Sequence, residues 1–334
     1  MELPSLELNT IPKRIYKESN QVWPVEEHEL LNAYNTESWS FYIVARLPQS
    51  SKPIHPLSAK IELISNKNVV KAVMVSGSSL EQVAIPEKKV DLLIWNHFTE
   101  PTALEINSLR YTIQVQDVKG VRFENTLKIP LRRYEQKAKL VFPLKGKCVV
   151  AAGHELNENH RWERSQFAYD IFPLGPNGEV VREEGSANED WWGYGVPVIA
   201  PTDGIVVYAR DDIPENERTG VLPDAAFYKT IPDQLNATAG NNVIIDHGQK
   251  EYSLLAHLKH GSVAVRKGDH VTKEQQIGCV GNSGRSDAPH LHYQLISGPD
   301  ILCDGLPSRF ENSSLLGLKG RVTSPKRGLF LIAE

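Results

Sequence analysis

The stretch over residues 277–295, IGCVGNSGRSDAPHLHYQL, constrains the chain more than any other. It closes on His290-Leu291-His292. Side chains alternate faces along a strand, so His290 and His292 point one way while Leu291, Tyr293 and Leu295 point the other. An apolar face against a core, with two imidazoles on the opposite face, calls for a sheet here. Paired imidazoles on a sheet suit a zinc ion or a proton-transfer pair. A lone His-x-His is also met on surfaces and in cores, and the setting gives this one its weight. Gly278, Gly281 and Gly284 let the backbone turn tightly, and Pro289 stiffens the chain just before the pair.

The same alternation recurs upstream. Residues 39–47, 59–65, 69–75, 90–95, 111–118 and 121–131 are short runs rich in β-branched, aromatic and aliphatic residues. Asn66-Lys67-Asn68 and Lys119-Gly120 mark turns between them. In the cleanest run Tyr111, Ile113 and Val115 share a face opposite Thr112, Gln114 and Gln116. Short strands with no helical period predict a β-sandwich over residues 36–135. Residues 1–35 show no period and are broken by Pro4, Pro12 and Pro24, which predicts a loose lead-in segment. The charged run RRYEQKAK marks the boundary to a second domain, residues 141–334.

In that second part, residues 166–172 read as a strand with Gln166, Ala168, Asp170 and Phe172 on one face. Residues 193–201 and 202–209 read as strands joined at Asp203-Gly204, a hairpin signal. Residues 242–246 and 252–258 form another hairpin around His247-Gly248, and residues 328–333 a closing strand. Residues 210–240 are polar and proline-bearing. A connection of that length is often functional, and it is expected beside the groove holding His257 and His290.

Composition narrows the classes. A hydrophobic fraction of 40% and a charged fraction of 23% are ordinary for a globular protein. A net charge of −4 argues against nucleic acid as a partner. No apolar run reaches the ~18 residues of a membrane helix. The first residues lack a signal-peptide core, which places the protein in the cytoplasm, or in the periplasm or outside the cell if a leader precedes them. Cys148, Cys279 and Cys303 are too few and too scattered for a disulfide framework or a cysteine-rich zinc site, and are expected as small buried hydrophobes.

The candidates for chemistry are Asp170, His292, His257, His290 and His160, suited to a zinc ion with an open position for water. His257 falls on the face of Leu255, opposite Leu254, Ala256 and Leu258. An unpaired carboxylate inside FAYDIF would be costly, which favours a ligand or ion-pair role for Asp170. His28, His55 and His97 are scattered and read as surface or core residues, His247 as a turn residue, His260 and His270 as solvated. Trp191-Trp192-Gly193-Tyr194 fits a core or a groove lining equally.

Residues 195–295 resemble the lysostaphin-type zinc metallopeptidase domain, whose members cut peptide cross-bridges of bacterial cell walls. The stretches that carry the likeness are GVPVIAPTDGIVVYA, NNVIIDHG, YSLLAHL and VRKGDHVTKEQQIGCVGNSGRSDAPHLHYQL. The resemblance implies an all-β chain in which an antiparallel β-sheet peptidase domain follows the β-sandwich. It also implies zinc held by Asp170 and His292, with His257 and His290 as the catalytic pair, and a peptide or peptidoglycan substrate. One position departs: four residues before Asp170, where the family has His, stands Gln166. Three readings stay open. His160, in NENHRWERSQ, supplies the missing nitrogen by folding back, His154 being a poorer substitute; or the domain is metal-free; or it holds another metal or a weak site. The corresponding functions are a zinc endopeptidase and a non-catalytic module that binds wall peptide or a protein partner. A lipoyl- or biotin-type carrier is a third thought, from VRKGDHV, but Lys267 before Gly268 lacks the exposed tight-turn setting.

Overall fold

The computed structural model describes residues 5–19, 36–48, 53–83, 92–153, 160, 164–223, 225–317 and 322–334. The chain is all-β, with two compact units that meet in sequence at Tyr134 and Glu135. The first is a two-sheet sandwich. Thr36–Arg46 pairs with Leu92–Pro101 and with Glu7–Ile11 in one sheet. Ile54–Ser65, Asn68–Ser76, Ser108–Asp117 and Arg122–Arg132 make the other. Trp39, Phe41 and Ile43 from one sheet and Leu109, Tyr111 and Ile113 from the other share one buried core. His55 and His97 are exposed on this unit. His28 and His154 lie outside the described residues.

The lead-in is more ordered than its sequence implies. Glu7–Ile11 is paired along its whole length, and Ile15–Tyr16 runs parallel to Arg122–Arg132. The two short strands belong to opposite sheets, so the chain turns a corner near Pro12. Leu6, Leu8 and Ile15 join the core. Five residues in one sheet and two in the other are too few to print a period, which is why the strands escape a reading by alternation.

The second unit is built on a ten-stranded sheet. Its central order is Gly204–Arg210, Asn241–Asp246, Tyr252–Leu258, Leu291–Ile296, Tyr169–Pro173 and Gly146–Ala152, antiparallel throughout. Phe330–Ala333 pairs with Gly146–Ala152, bringing the end of the described chain into the sheet. On the buried side Tyr169, Tyr293 and Phe310 pack ring to ring, with centroids 5.3–6.4 Å apart.

Two local expectations are corrected. Asp203-Gly204 closes no hairpin: Pro197–Ile199 pairs instead with Gln276–Cys279 in a separate two-stranded ribbon. The Asp203 carboxylate accepts from the Lys273 amide at 2.7 Å, tying this corner to a different turn. The strand before the site begins at Tyr169 rather than Gln166, because a turn from Ser165 to Ala168 takes up the preceding residues. Among the described residues the α-helices are Ala225–Lys229 and Gln234–Ala237, both within the 210–240 connection. Among the described residues no helix is long and apolar enough to cross a membrane. Cys148 is buried, while Cys279 and Cys303 are only partly so, and all three are free thiols.

Candidate metal and catalytic site

The site grows out of one register. Tyr169–Pro173 and Tyr252–Leu258 flank Leu291–Ile296, and Asp170 and Ala256 both stand directly opposite His292. Directly paired residues share a face, so the carboxylate of Asp170 and the imidazole of His292 meet: His292 Nδ1 lies 2.9 Å from Asp170 Oδ1. His160 comes in from outside the sheet, its Nε2 3.3 Å from Asp170 Oδ2. One nitrogen or oxygen from each of His160, Asp170 and His292 lies within 4.8 Å of the others. Zinc bonds of ~2.0–2.1 Å in a tetrahedron put neighbouring donors ~3.3 Å apart, so two imidazoles and a carboxylate at these separations fit the ion in number, chemistry and spacing. Gln166 is buried in the turn that leads to the Asp170 strand.

His257 and His290 stand beside this group. Their ring centroids are 5.0 Å apart, and His257 lies 5.7 Å from His292. His290 Nε2 is 3.5 Å from Asp170 Oδ1. Both imidazoles turn Nδ1 away, each to a backbone carbonyl. His257 Nδ1–H donates to Ser283 O at 2.9 Å, and His290 Nδ1–H to Ala288 O at 2.7 Å. An Nδ1–H held by a carbonyl fixes the tautomer in which Nε2 faces the site. Behind His290, Phe172 stacks at 5.2 Å and Trp191 packs on Phe172 at 5.7 Å. The aromatic run therefore divides its roles. Trp191 backs the site, while Trp192 and Tyr194 sit partly exposed under the cations of Arg182 and Lys259.

Burial, mutual charge and hydrogen bonding set the protonation states. Burial opposes ionisation of Asp170, but the charge of His160 and hydrogen bonds from His160, His290 and His292 outweigh it and hold the carboxyl well below its usual range. Burial, aided by the like charges of His290 and His292, pushes His257 well below the ordinary histidine value, so it is neutral. Burial also acts against protonated His290, yet the hydrogen bond and charge of Asp170 prevail and raise its pKa.

The 210–240 connection packs against both histidine-bearing segments. Ala239 O accepts from the His257 amide at 3.0 Å, Glu215 accepts from the amides of His260 and Asn282, and the Gly220 amide donates to Asp287 O. His247 is more than a turn residue: its ring bridges Asp203 O and Ser253 Oγ at 2.9 and 2.8 Å. His260 and His270 are exposed. The groups absent from the sequence reading are the carbonyls of Ser283 and Ala288 and the side chain of Ser286. Backbone acceptors carry no side-chain signature, and NSGRS reads as a turn whatever it holds.

The sheet thus gathers a His/Asp cluster with two further imidazoles beside it. Residues 192–301 match peptidase family M23 and make up an M23 domain. His257, His290 and His292 fall inside the matched span, His160 and Asp170 before it. The chain is 34% identical over 102 residues to the peptidoglycan DD-endopeptidase ShyA of Vibrio cholerae, covering 30% of this chain and 18% of that one. It is 30% identical over 141 residues to an uncharacterized metalloprotease of Haemophilus influenzae, covering 41% of this chain and 22% of that one. The chain thus matches about a fifth of the length of these relatives. The catalytic domain of lysostaphin from Staphylococcus simulans is 19% identical, covering 49% of this chain and 88% of that one, with a TM-score of 0.29. That likeness is too weak to add to the family assignment, which rests on the sequence matches.

Proposed function

We propose that this chain is a zinc-dependent endopeptidase acting on peptides of the bacterial cell wall. The observation that carries the reading is the convergence of His160, Asp170 and His292 beside the pair His257 and His290. Two imidazoles and a carboxylate are the donor set of a catalytic zinc that keeps a position open. Such an ion, when bound, polarises a carbonyl and makes water acidic near neutral pH. His160 then fills the place of the family's earlier histidine, and Gln166 is not a ligand.

The protein's own residues orient the reactants and move protons. Asp170, ionised, faces His292 Nδ1 through Oδ1 and His160 Nε2 through Oδ2, the donor atoms that would hold the ion. His257, neutral and with Nδ1–H committed to Ser283 O, presents the lone pair of Nε2 and accepts a proton from the attacking water. His290, whose pKa the Asp170 carboxylate raises, donates in its protonated form a hydrogen bond to the oxygen that gains charge as the carbonyl is attacked. Phe172 and Trp191 back His290 and keep water from that side. Similarity to the Vibrio cholerae enzyme supports peptidoglycan as the substrate class.

The test is direct. The purified full chain is assayed for bound zinc and for release of new amino termini from isolated peptidoglycan, with and without a chelator. One zinc per chain and chelator-sensitive release are expected. Peptidoglycan binding without release, at full zinc occupancy, would make the domain a binding module instead.

A further inference from the structure

His257 lies near the end of one strand and His290 stands just before another, yet one loop fixes both rings. The chain from Gly281 to Pro289 supplies Ser283 O to His257 Nδ1, and Ala288 O to His290 Nδ1. Ser286 Oγ reinforces the second contact: it donates to Ala288 O at 2.9 Å and lies 3.3 Å from His290 Nδ1. The spacing of the two imidazoles therefore depends on the shape of residues 283–288. The loop belongs to no strand between Cys279 and Leu291, and its internal ties are the Ser286 contacts and an isolated bridge between Gly281 and His290.

Ser283 Oγ is tied to the Asn241 amide and to Leu258 O, and the backbone between Ser283 and Ala288 is held from the 210–240 connection. Asn216 is buried, 5% exposed, and its Nδ2 donates to Ser286 O at 2.6 Å and to Gly284 O at 3.1 Å. These carbonyls lie between the two that orient the histidines. Asn216 is itself fixed by two backbone bonds, its amide donating to Asn282 O at 2.9 Å and its carbonyl accepting from Asn188 Nδ2 at 2.9 Å, and a third bond, Asn282 Nδ2 to Asn188 Oδ1 at 2.8 Å, ties those two partners together. A buried network of this kind is rigid when each member is satisfied. A carboxamide is also the side chain for the task, since one Nδ2 carries two N–H groups for two carbonyls. Other contacts follow the same line, with Glu215 accepting from the Asn282 amide and the Gly220 amide reaching Asp287 O at 2.7 Å.

We propose that Asn216 is a positioning residue that sets the separation and ring orientation of His257 and His290 by pinning the Ser283–Ala288 backbone from outside. The hydrogen bonds of Asn216 go to Asn188, Asn282, Gly284 and Ser286, and to neither imidazole nor a metal-ligand candidate. It acts through the carbonyls on which the Nδ1 protons rest. This rests on the peptidase reading for its catalytic consequence but not for its geometry. Support of this order behind a reacting group is worth about 10- to 100-fold in rate.

The experiment uses the full chain labelled with 15N-histidine. In the wild type, two Nδ1 protons bonded to carbonyls give slowly exchanging downfield signals, one from His257 and one from His290. Asn216→Ala is expected to shift or broaden both, to lower kcat on a wall-peptide substrate about 10- to 100-fold with KM within about threefold, and to leave zinc content unchanged. Asn216→Asp keeps the shape and the backbone bonds but replaces donors with acceptors facing Gly284 O and Ser286 O; it repeats the test should the alanine variant not fold. Asn236→Ala, at another buried asparagine of the same connection, is expected to leave both signals in place. Signals at wild-type positions in a folded Asn216 variant would overturn the proposal. So would equal shifts in Asn236→Ala, or a rise in KM at constant kcat. If the wild type hydrolyses nothing, the peptidase reading fails, and the imidazole signals still decide whether Asn216 positions the pair.

Discussion

The imidazole of His257 lies 5.7 Å from that of His292, although the sheet register assigns the two residues to opposite faces. Ala256 is the direct partner of His292, and Leu255 that of Tyr293, so simple alternation sends the next side chain, His257, into the core with Leu255 and Tyr293. It does not go there because His257 has φ +60°, in the left-handed region. That single backbone turn breaks the alternation at the end of the strand and swings the ring to the site face. Such a conformation is costly for a residue with a Cβ and persists where the surroundings enforce it. Here they do: the His257 amide bonds to Ala239 O and its carbonyl accepts from the Gly281 amide.

This strain gives an inverted substitution order. His257→Gly should be more stable than His257→Ala by about 1 kcal/mol, because glycine accepts the left-handed backbone and alanine does not. Both should keep zinc, and both should lose hydrolysis by about 100-fold or more through loss of the proton acceptor. Urea titration of the two variants checks the first point. An alanine variant more stable than the glycine one would contradict it.

The metal site should depend on a residue outside the sheet. His160→Ala leaves one carboxylate and one imidazole, too few for a tight site, and should strip zinc from the purified protein. Gln166→Ala should retain it. Metal analysis after gel filtration reads both. Zinc that survives loss of His160 would move the third nitrogen to His290 or His257.

Gly284 should tolerate no side chain. Its φ is +74°, and a Cβ there would sit 2.2 Å from the Gly240 amide nitrogen, a backbone atom that cannot swing aside. Gly281 is similarly pressed, at 2.3 Å from the Lys259 backbone. Gly284→Ala should therefore destabilise the second unit by about 2 kcal/mol or more and displace Ser283 from His257. Equal urea midpoints for the variant and wild type would refute the close approach.

His247 supplies a pH signature remote from the metal group. Burial depresses its pKa below the ordinary 6.5, against the opposing effects of its bond to Asp203 O and the nearby Asp246, Glu251 and Asp203 carboxylates. The unfolded chain then binds the proton first. The contribution to stability is fully present above about 6.5 and falls away as pH drops through the lower folded value. Wild type should lose stability relative to His247→Gln over that window, seen as converging urea midpoints as the pH is lowered. A constant difference from pH 7.5 to 5 would show that His247 does not titrate differently on folding.

The alternation of apolar and polar residues determined the all-β class, because period 2 is printed directly in runs such as Tyr111–Val115, and it correctly turned His292 away from Tyr293. Motif order likewise exposed the peptidase domain, since GVPVIAPTDGIVVYA through HLH is a continuous pattern within the matched span. The resemblance also left one ligand nitrogen unaccounted for at Gln166, and His160 was one of the readings it left open. What it could not contain was the meeting of His160 with Asp170 and His292, which joins a residue off the sheet to two strands that pair across 122 positions of sequence. The lead-in strands were illegible because they are short and split between sheets, and the pairing at Asp203-Gly204 because a hairpin turn signal says nothing about which distant strand competes for the edge. Only the tertiary structure decided where His257 points, since a left-handed residue is enforced by contacts at Ala239 and Gly281 rather than by the residue itself. The same holds for the carbonyls of Ser283 and Ala288: every residue has a carbonyl, and only packing determines which ones meet an imidazole.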